Sequence, residues 1–154
     1  MAKIREERPY VQFNFIVDLG DPSMNPRSFS GGFQEVSGIG MEVAVSEYRN
    51  GNDRDNGTRK VTGLNKSADV TMKRGVIGAA TLYRWLDAIR NGSPSGRRDV
   101  TIVLQSENHD DVIEWKLLRA QITKCTYGPL SAKGNDVAME EMVLAYERLE
   151  MKEL

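Results

Sequence analysis

The 154 residues suffice for one domain with a substantial core and are too few for two ordinary domains joined by a linker. Hydrophobic residues make up 40% and charged residues 28%, the balance of a folded soluble chain, and no apolar run is long enough to span a bilayer. With 21 Lys+Arg against 22 Asp+Glu the net charge is −1, which argues against steering toward nucleic acid or an anionic membrane.

The opening MAKIREERPYVQF has charges where a secretory signal needs an apolar run, so synthesis in the cytoplasm without a signal peptide is expected. From Tyr10 to Asp18, YVQFNFIVD alternates, with Val11, Phe13, Phe15 and Val17 on one face of a half-buried strand. DLGDPSMNPRSFSGG, dense in turn formers, predicts a long surface loop. A second strand runs through Phe33 to Ser37, and Gly38-Ile39-Gly40 predicts a hairpin turn into MEVAVSEYR. In that third strand Met41, Val43 and Val45 alternate with Glu42, Ala44 and Ser46. The following NGNDRDNGTRK is polar and glycine-punctuated, and is expected to be an exposed, mobile excursion.

ADVTMKR, Ala68 to Arg74, alternates again: Val70 and Met72 face the core, and Asp69, Thr71 and Lys73 lie opposite. The period then changes, for Leu82, Trp85, Leu86 and Ile89 stand at i, i+3, i+4 and i+7 on a helix ending at Asn91-Gly92. Beyond NGSPSGRR come four further strands: DVTIVLQSE, VIEWKLLRAQI, a short KCTYG and DVAMEEMVLAYERLEMKE. The last is rich in helix formers but has no helical apolar stripe, so a strand is predicted. The expectation is a single domain spanning 1–154, mainly β (α+β), an antiparallel β-barrel or sandwich with one flanking α-helix.

Catalytic patterns are missing from this reading. The turn Gly75-Val76-Ile77-Gly78-Ala79-Ala80-Thr81 lacks the lysine of a phosphate loop and carries apolar residues between its glycines, so a corner in the scaffold is favoured over an anion site at Arg74-Gly75. A calcium loop built on Asp53 and Asp55 fails at its twelfth position, which is Leu64 where a glutamate belongs. His109, the only histidine, sits beside Asp110 and Asp111 in a turn sequence, and Cys125 is the only cysteine and reads as a small core residue. No enzyme activity, metal or cofactor is expected.

The order of features carries a resemblance. FQEVSGIG (Phe33 to Gly40), EYRNG (Glu47 to Gly51), VTGL (Val61 to Leu64), DVTMKRG (Asp69 to Gly75), a helix bearing Trp85, the strand DVTIVLQSE, the Trp115 strand and the closing AMEEMVLAYERLE together resemble the tail tube family of contractile phage tails and contractile injection systems. The match runs from about Tyr10 to Leu149. What it implies is a structural subunit of an inner tube made of stacked hexameric rings, whose lumen conducts protein cargo or DNA when a surrounding sheath contracts. The partners implied are further copies of the chain, a sheath protein, and baseplate and tube-initiator proteins, with no stable membrane association. The assembled tail or injection particle would be released from the cell in some systems. A type VI-like secreted ring protein and a tube-initiating baseplate subunit stay open as alternatives, with a small anion-binding β-barrel module behind them.

On that reading the inner wall is assigned to MEVAVSEYR and ADVTMKR, with Glu42, Ala44, Ser46, Asp69, Thr71 and Lys73 as lumen-facing candidates. The excursion supplies candidates for contact between rings or subunits: Arg49, Asn50, Asn52, Asp53, Arg54, Asp55 and Arg59. Phe33, Gly38, Gly63, Gly75, Leu82, Trp85, Leu86 and Ile89 are expected to act structurally, with Gly75 turning the chain into the helix.

Overall fold

A computed structural model describes residues 7–22, 25–28, 31–78, 80–93 and 96–154. The strands are β1 (Phe15–Asp18), β2 (Glu35–Ser37), β3 (Met41–Tyr48), β4 (Arg59–Ser67), β5 (Val70–Gly75), β6 (Arg98–Gln105), β7 (Asp111–Tyr127), β8 (Met139–Ala145) and β9 (Arg148–Glu153). The one α-helix among the described residues, α1, covers Thr81–Arg90. Six strands hydrogen-bond in the order β1-β6-β7-β8-β5-β2, β9 joins β7, and β3 and β4 form a ladder of their own. Every pairing is antiparallel, as the alternating sequence pattern predicts.

β7 organises the body. VIEWKLLRAQI and KCTYG, read as separate strands, are one strand of 17 residues. Its first part lies between β6 and β9, and its last part pairs with β8. The change of partner is made by a bend at Arg119, which adopts φ 54 while its N–H donates to Asp99 Oδ1 at 3.1 Å. A further register shift falls between Ile122 and Lys124. Such irregularities re-aim a strand without ending it.

The predicted β2–β3 hairpin does not form. β2 pairs with β5 instead, and β3 pairs with β4, a strand that the polar, glycine-interrupted RKVTGLNKS did not announce. Gly63 of β4 sits where the register shifts, opposite Ala44, and a Cβ there would stand 3.1 Å from the Ala44 carbonyl oxygen. The Tyr10–Asp18 strand is also shorter than its pattern suggests, four residues from Phe15, and Phe13 is exposed.

The core lies inside the curved sheet, filled by Val17, Val70, Met72, Val100, Ile102, Leu117, Ile122, Met142 and Leu144. The helix closes it with Leu82 and Trp85, both 1% exposed, while Leu86 and Ile89 pack at the margin as predicted. Trp85 Nε1 donates to the Gly96 carbonyl at 2.6 Å, and the Arg98 guanidinium lies 4.8 Å from its ring centre. Gly92, at φ 77, supplies the left-handed residue that ends the helix.

Gly75 is the extended last residue of β5, opposite Met139, so the turn toward α1 comes after it and not at it. The buried feature beside it is the preceding residue: Arg74 is 2% exposed and forms an ion pair with Glu140, its register partner on β8. Its guanidinium also donates to Thr81 Oγ1 at 3.1 Å, at the start of α1, and lies 5.6 Å from the Phe33 ring centre. One side chain thereby ties β5, β8, the helix and the segment before β2.

Two stability predictions follow from burial. Trp85→Ala removes a buried aromatic and is expected to cost about 3–5 kcal/mol in urea unfolding of the unassembled subunit. Glu140→Ala strands the buried guanidinium and is expected to cost about 3–5 kcal/mol, whereas Lys73→Ala, which breaks a half-exposed pair with Glu141, costs at most about 1 kcal/mol. Equal losses for these two variants would refute the importance given to the Arg74 pair.

Candidate assembly surfaces

The strands β2, β5, β8 and the last part of β7 form a four-stranded face whose inner side is core. On the outer side cross-strand partners fall in rows: Glu35, Lys73, Glu141 and Thr126 in one, Ser37, Thr71, Val143 and Lys124 in the next. Lys73 Nζ stands 3.9 Å from Glu141 Oε2. The rows are small, polar or paired in charge, and no aromatic side chain interrupts them. Both edges of this face are open among the described strands: β2 has only β5 beside it, and Gln121–Tyr127 has only β8. Unpaired edges are templates for another strand.

At one end the same ladder outruns the body. Ser37 pairs with Thr71 and, four residues on in each direction, Met41 pairs with Ser67, so β3–β4 takes up the offset of β2–β5 beyond a joint at residues 38–40. The joint is fixed by three contacts. Gly38 has φ 86 and a Cβ on it would come within 2.4 Å of the Asp69 carbonyl oxygen. Ala68 N–H donates to the Gly40 carbonyl at 3.0 Å, and the Tyr146 hydroxyl donates to the same oxygen at 2.9 Å. Burial raises the pKa of Tyr146, against the opposing effect of the Gly40 bond, so the hydroxyl stays a neutral donor.

Beyond the joint the β3–β4 arm projects by eight residues, about 25 Å at strand rise. All of β3 is exposed, and so is β4 except Ser67 at the base. Met41, Val43, Val45, Tyr48, Val61 and Leu64 are among its exposed apolar side chains. A two-stranded hairpin has little stability of its own in water, so this arm is built to be covered.

The six lumen candidates fall on two parts of this ladder. Thr71 and Lys73 lie on the outer side of the four-stranded face, and Asp69 lies exposed at the joint. Glu42, opposite Lys66, Ala44, against the Gly63 bulge, and Ser46, opposite Val61, lie on the arm. The excursion is the tip of the arm, and its own side chains bond across it. Arg49 Nε donates to the Asp55 carbonyl at 3.0 Å and its Nη2 to the Asp53 carbonyl at 2.8 Å. Asn50 N–H donates to Asp53 Oδ2 at 3.1 Å, and Gly57 N–H to Asp55 Oδ1 at 3.1 Å. Asn52 and Arg54 stay exposed at the extremity, and Arg59 opens β4 opposite Tyr48.

Glu35, Glu141, Lys124 and Tyr146 were missed as members of these surfaces. Strand alternation could have placed the first three, but their neighbours follow from long-range register alone. The anion-site alternative loses its main ligand, because the Arg74 guanidinium is buried and engaged by Glu140.

Known proteins agree with this architecture. Residues 11–150 match the family model for the T4-like virus tail tube protein gp19. A chain in the cryo-EM structure of the sheath–tube complex of an extracellular contractile injection system, PVC, in its extended state is 27% identical, with a TM-score of 0.82 over 96% of this chain and 94% of that one. A chain in the PVC sheath/tube terminator structure is 28% identical, with a TM-score of 0.81 over 95% of this chain and 98% of that one. A chain in the structure of the anti-feeding prophage cap shares the fold at 24% identity, with a TM-score of 0.82 over 99% of this chain and 97% of that one. A search of curated proteins found no match. A family match over nearly the whole chain, on a fold with open strand edges and an uncovered arm, makes this chain a member of the T4-like tail tube family, the structural tube proteins of contractile phage tails and injection systems.

Proposed function

We propose that the chain builds the inner tube of a contractile particle as hexameric rings stacked on one another, with the four-stranded face and the arm forming the wall of the bore. The observation that carries this reading is a four-stranded face with open edges on either side, prolonged beyond the body by the β3–β4 arm. Ring closure gives each edge a strand partner and leaves no free edge on the circumference. The six-fold order comes from the family resemblance.

In this arrangement Glu42, Ala44, Ser46, Asp69, Thr71 and Lys73 face the bore. Small and charge-paired side chains let a moving cargo, protein or DNA, slide past a wetted wall. The opposite surface meets a sheath, and the ends of the tube meet a baseplate, an initiator and a terminator; chains similar to this one occur in sheath–tube, terminator and baseplate structures. The residues singled out act by shape and charge and not in catalysis. The particle is assembled in the bacterial cytoplasm and acts outside it. The arm tip, Arg49 to Arg59, touches the adjoining ring.

Two experiments test these placements. Deleting Asn52 to Gly57 removes the tip but leaves the core, and soluble subunits with fewer or shorter tubes are expected by electron microscopy; unchanged tube length would remove the tip from ring contact. For the bore, Thr71→Cys and Glu42→Cys in a Cys125→Ala background should react in intact tubes with a small maleimide and resist one attached to a bulky dextran. Equal labelling by both reagents would place these positions outside.

A further inference from the structure

The exposed apolar side chains are unevenly placed. Six of the large ones lie on the arm: Met41, Val43, Val45, Tyr48, Val61 and Leu64. Another group, Val76, Tyr127, Leu130 and Val137, lies on the segments that follow β5 and link β7 to β8. These segments cap the opposite end of the four-stranded face. β5 runs from Val70 beside the joint to Gly75, Gly75 pairs with Met139 at the start of β8, and Tyr127 ends β7 opposite Glu140. The arm leaves from the other end, beyond Ser37 and Val70. The two most exposed large apolar side chains among the described residues, Leu64 and Leu130, both 85% exposed, therefore lie beyond opposite ends of the four-stranded face.

Each end is shaped as well as apolar. Leu64 flanks the bulge at Gly63, and a bulge turns its side chains out of the plain alternation. At the far end, residues 128–139 enclose a hollow lined by Pro129, Ser131, Asp136, Val137 and Met139. Its rim is held by Gly128 N–H to the Met139 carbonyl at 2.7 Å and Val76 N–H to the Ala138 carbonyl at 2.8 Å. The arm points away from its own hollow, so one copy cannot bring its two apolar ends together. A second copy, set on the same axis in the same orientation, can.

Resting on the tube reading above, we infer that the Val76, Leu130 and Val137 end of each subunit is the seat for the Leu64 region of the arm from a copy in the adjoining ring. The contact joins two different surfaces, so rings stack head to tail and a stack of any length keeps one free surface of each kind, one at either end. This gives the arm its cover, and it gives the exposed β7–β8 connection a partner that the isolated subunit lacks.

The test mixes two variants, Leu64→Cys and Leu130→Cys, each in the Cys125→Ala background, and assembles tubes under reducing conditions before mild oxidation. Disulfide-linked dimers containing one chain of each kind are expected, with far fewer when either variant is assembled alone. In parallel, Leu130→Asp with Val137→Asp changes only side chains already in water, so folding and rings should persist while tube length falls at least ten-fold. Tubes of normal length from the aspartate variant, or tubes that form normally but give no mixed dimer, would overturn the seat while leaving the tube reading intact. Failure of the unmodified chain to form either rings or tubes would overturn both.

Discussion

The constraint on which this structure turns is a β-ladder longer than the core beneath it. The β3–β4 ladder leaves the joint in the register of β2–β5, yet only β2–β5 is backed by buried side chains. A buried strand face is secured by the apolar area it removes from water, and the arm secures almost none within its own subunit. The body must therefore be stable without it. That explains why the core is closed by a helix, a buried tryptophan and the Arg74–Glu140 pair, all away from the arm. The subunit divides into a body that folds on its own core and an arm that lies outside it.

Placing charge inside the body is costly unless its partners are complete. Arg74 meets this condition with a carboxylate, a hydroxyl and an aromatic face drawn from three separate segments. The same residue was the ligand of the anion site that the sequence already disfavoured. Its neighbour Lys73, one residue earlier, points to the other side of β5 and pairs loosely with Glu141 in the open row. Two adjacent cations thus have opposite tasks, one holding the wall together and one coating it.

What was legible in the sequence was what depends on local pattern. The 3.6-residue spacing of Leu82, Trp85, Leu86 and Ile89 gave the helix, and alternation gave the strands β5 and β6. DVAMEEMVLAYERLEMKE, read as one strand, is two: β8 pairs with β5 and β7, and β9 turns back onto the first part of β7. What was hidden depends on partners distant in the chain. β4 carries little apolar alternation because neither face meets a core, so its strand character appears only when β3 is placed beside it. Gly38-Ile39-Gly40 has hairpin composition but serves as a joint in a strand that continues, since the pairing partner of β2 is β5. β7 was read as two strands broken at Thr123, where its register against β8 shifts but the strand continues, while the bend at Arg119 has no glycine or proline to mark it. The assembly surfaces were legible as segments, through the family order of motifs, but their edges and ends required the register.

The continuity of β7 carries a mechanical consequence. Its 17 residues pass from the β6–β9 layer into the four-stranded face without a loop between. Two layers joined by loops can shear past one another at the cost of side-chain packing alone. Here, sliding one layer against the other means pulling a single backbone through ladders on both sides, and many hydrogen bonds must then fail together. A wall of such subunits transmits an axial push as a stiff column, with its outer skin and inner lining locked by the same covalent thread.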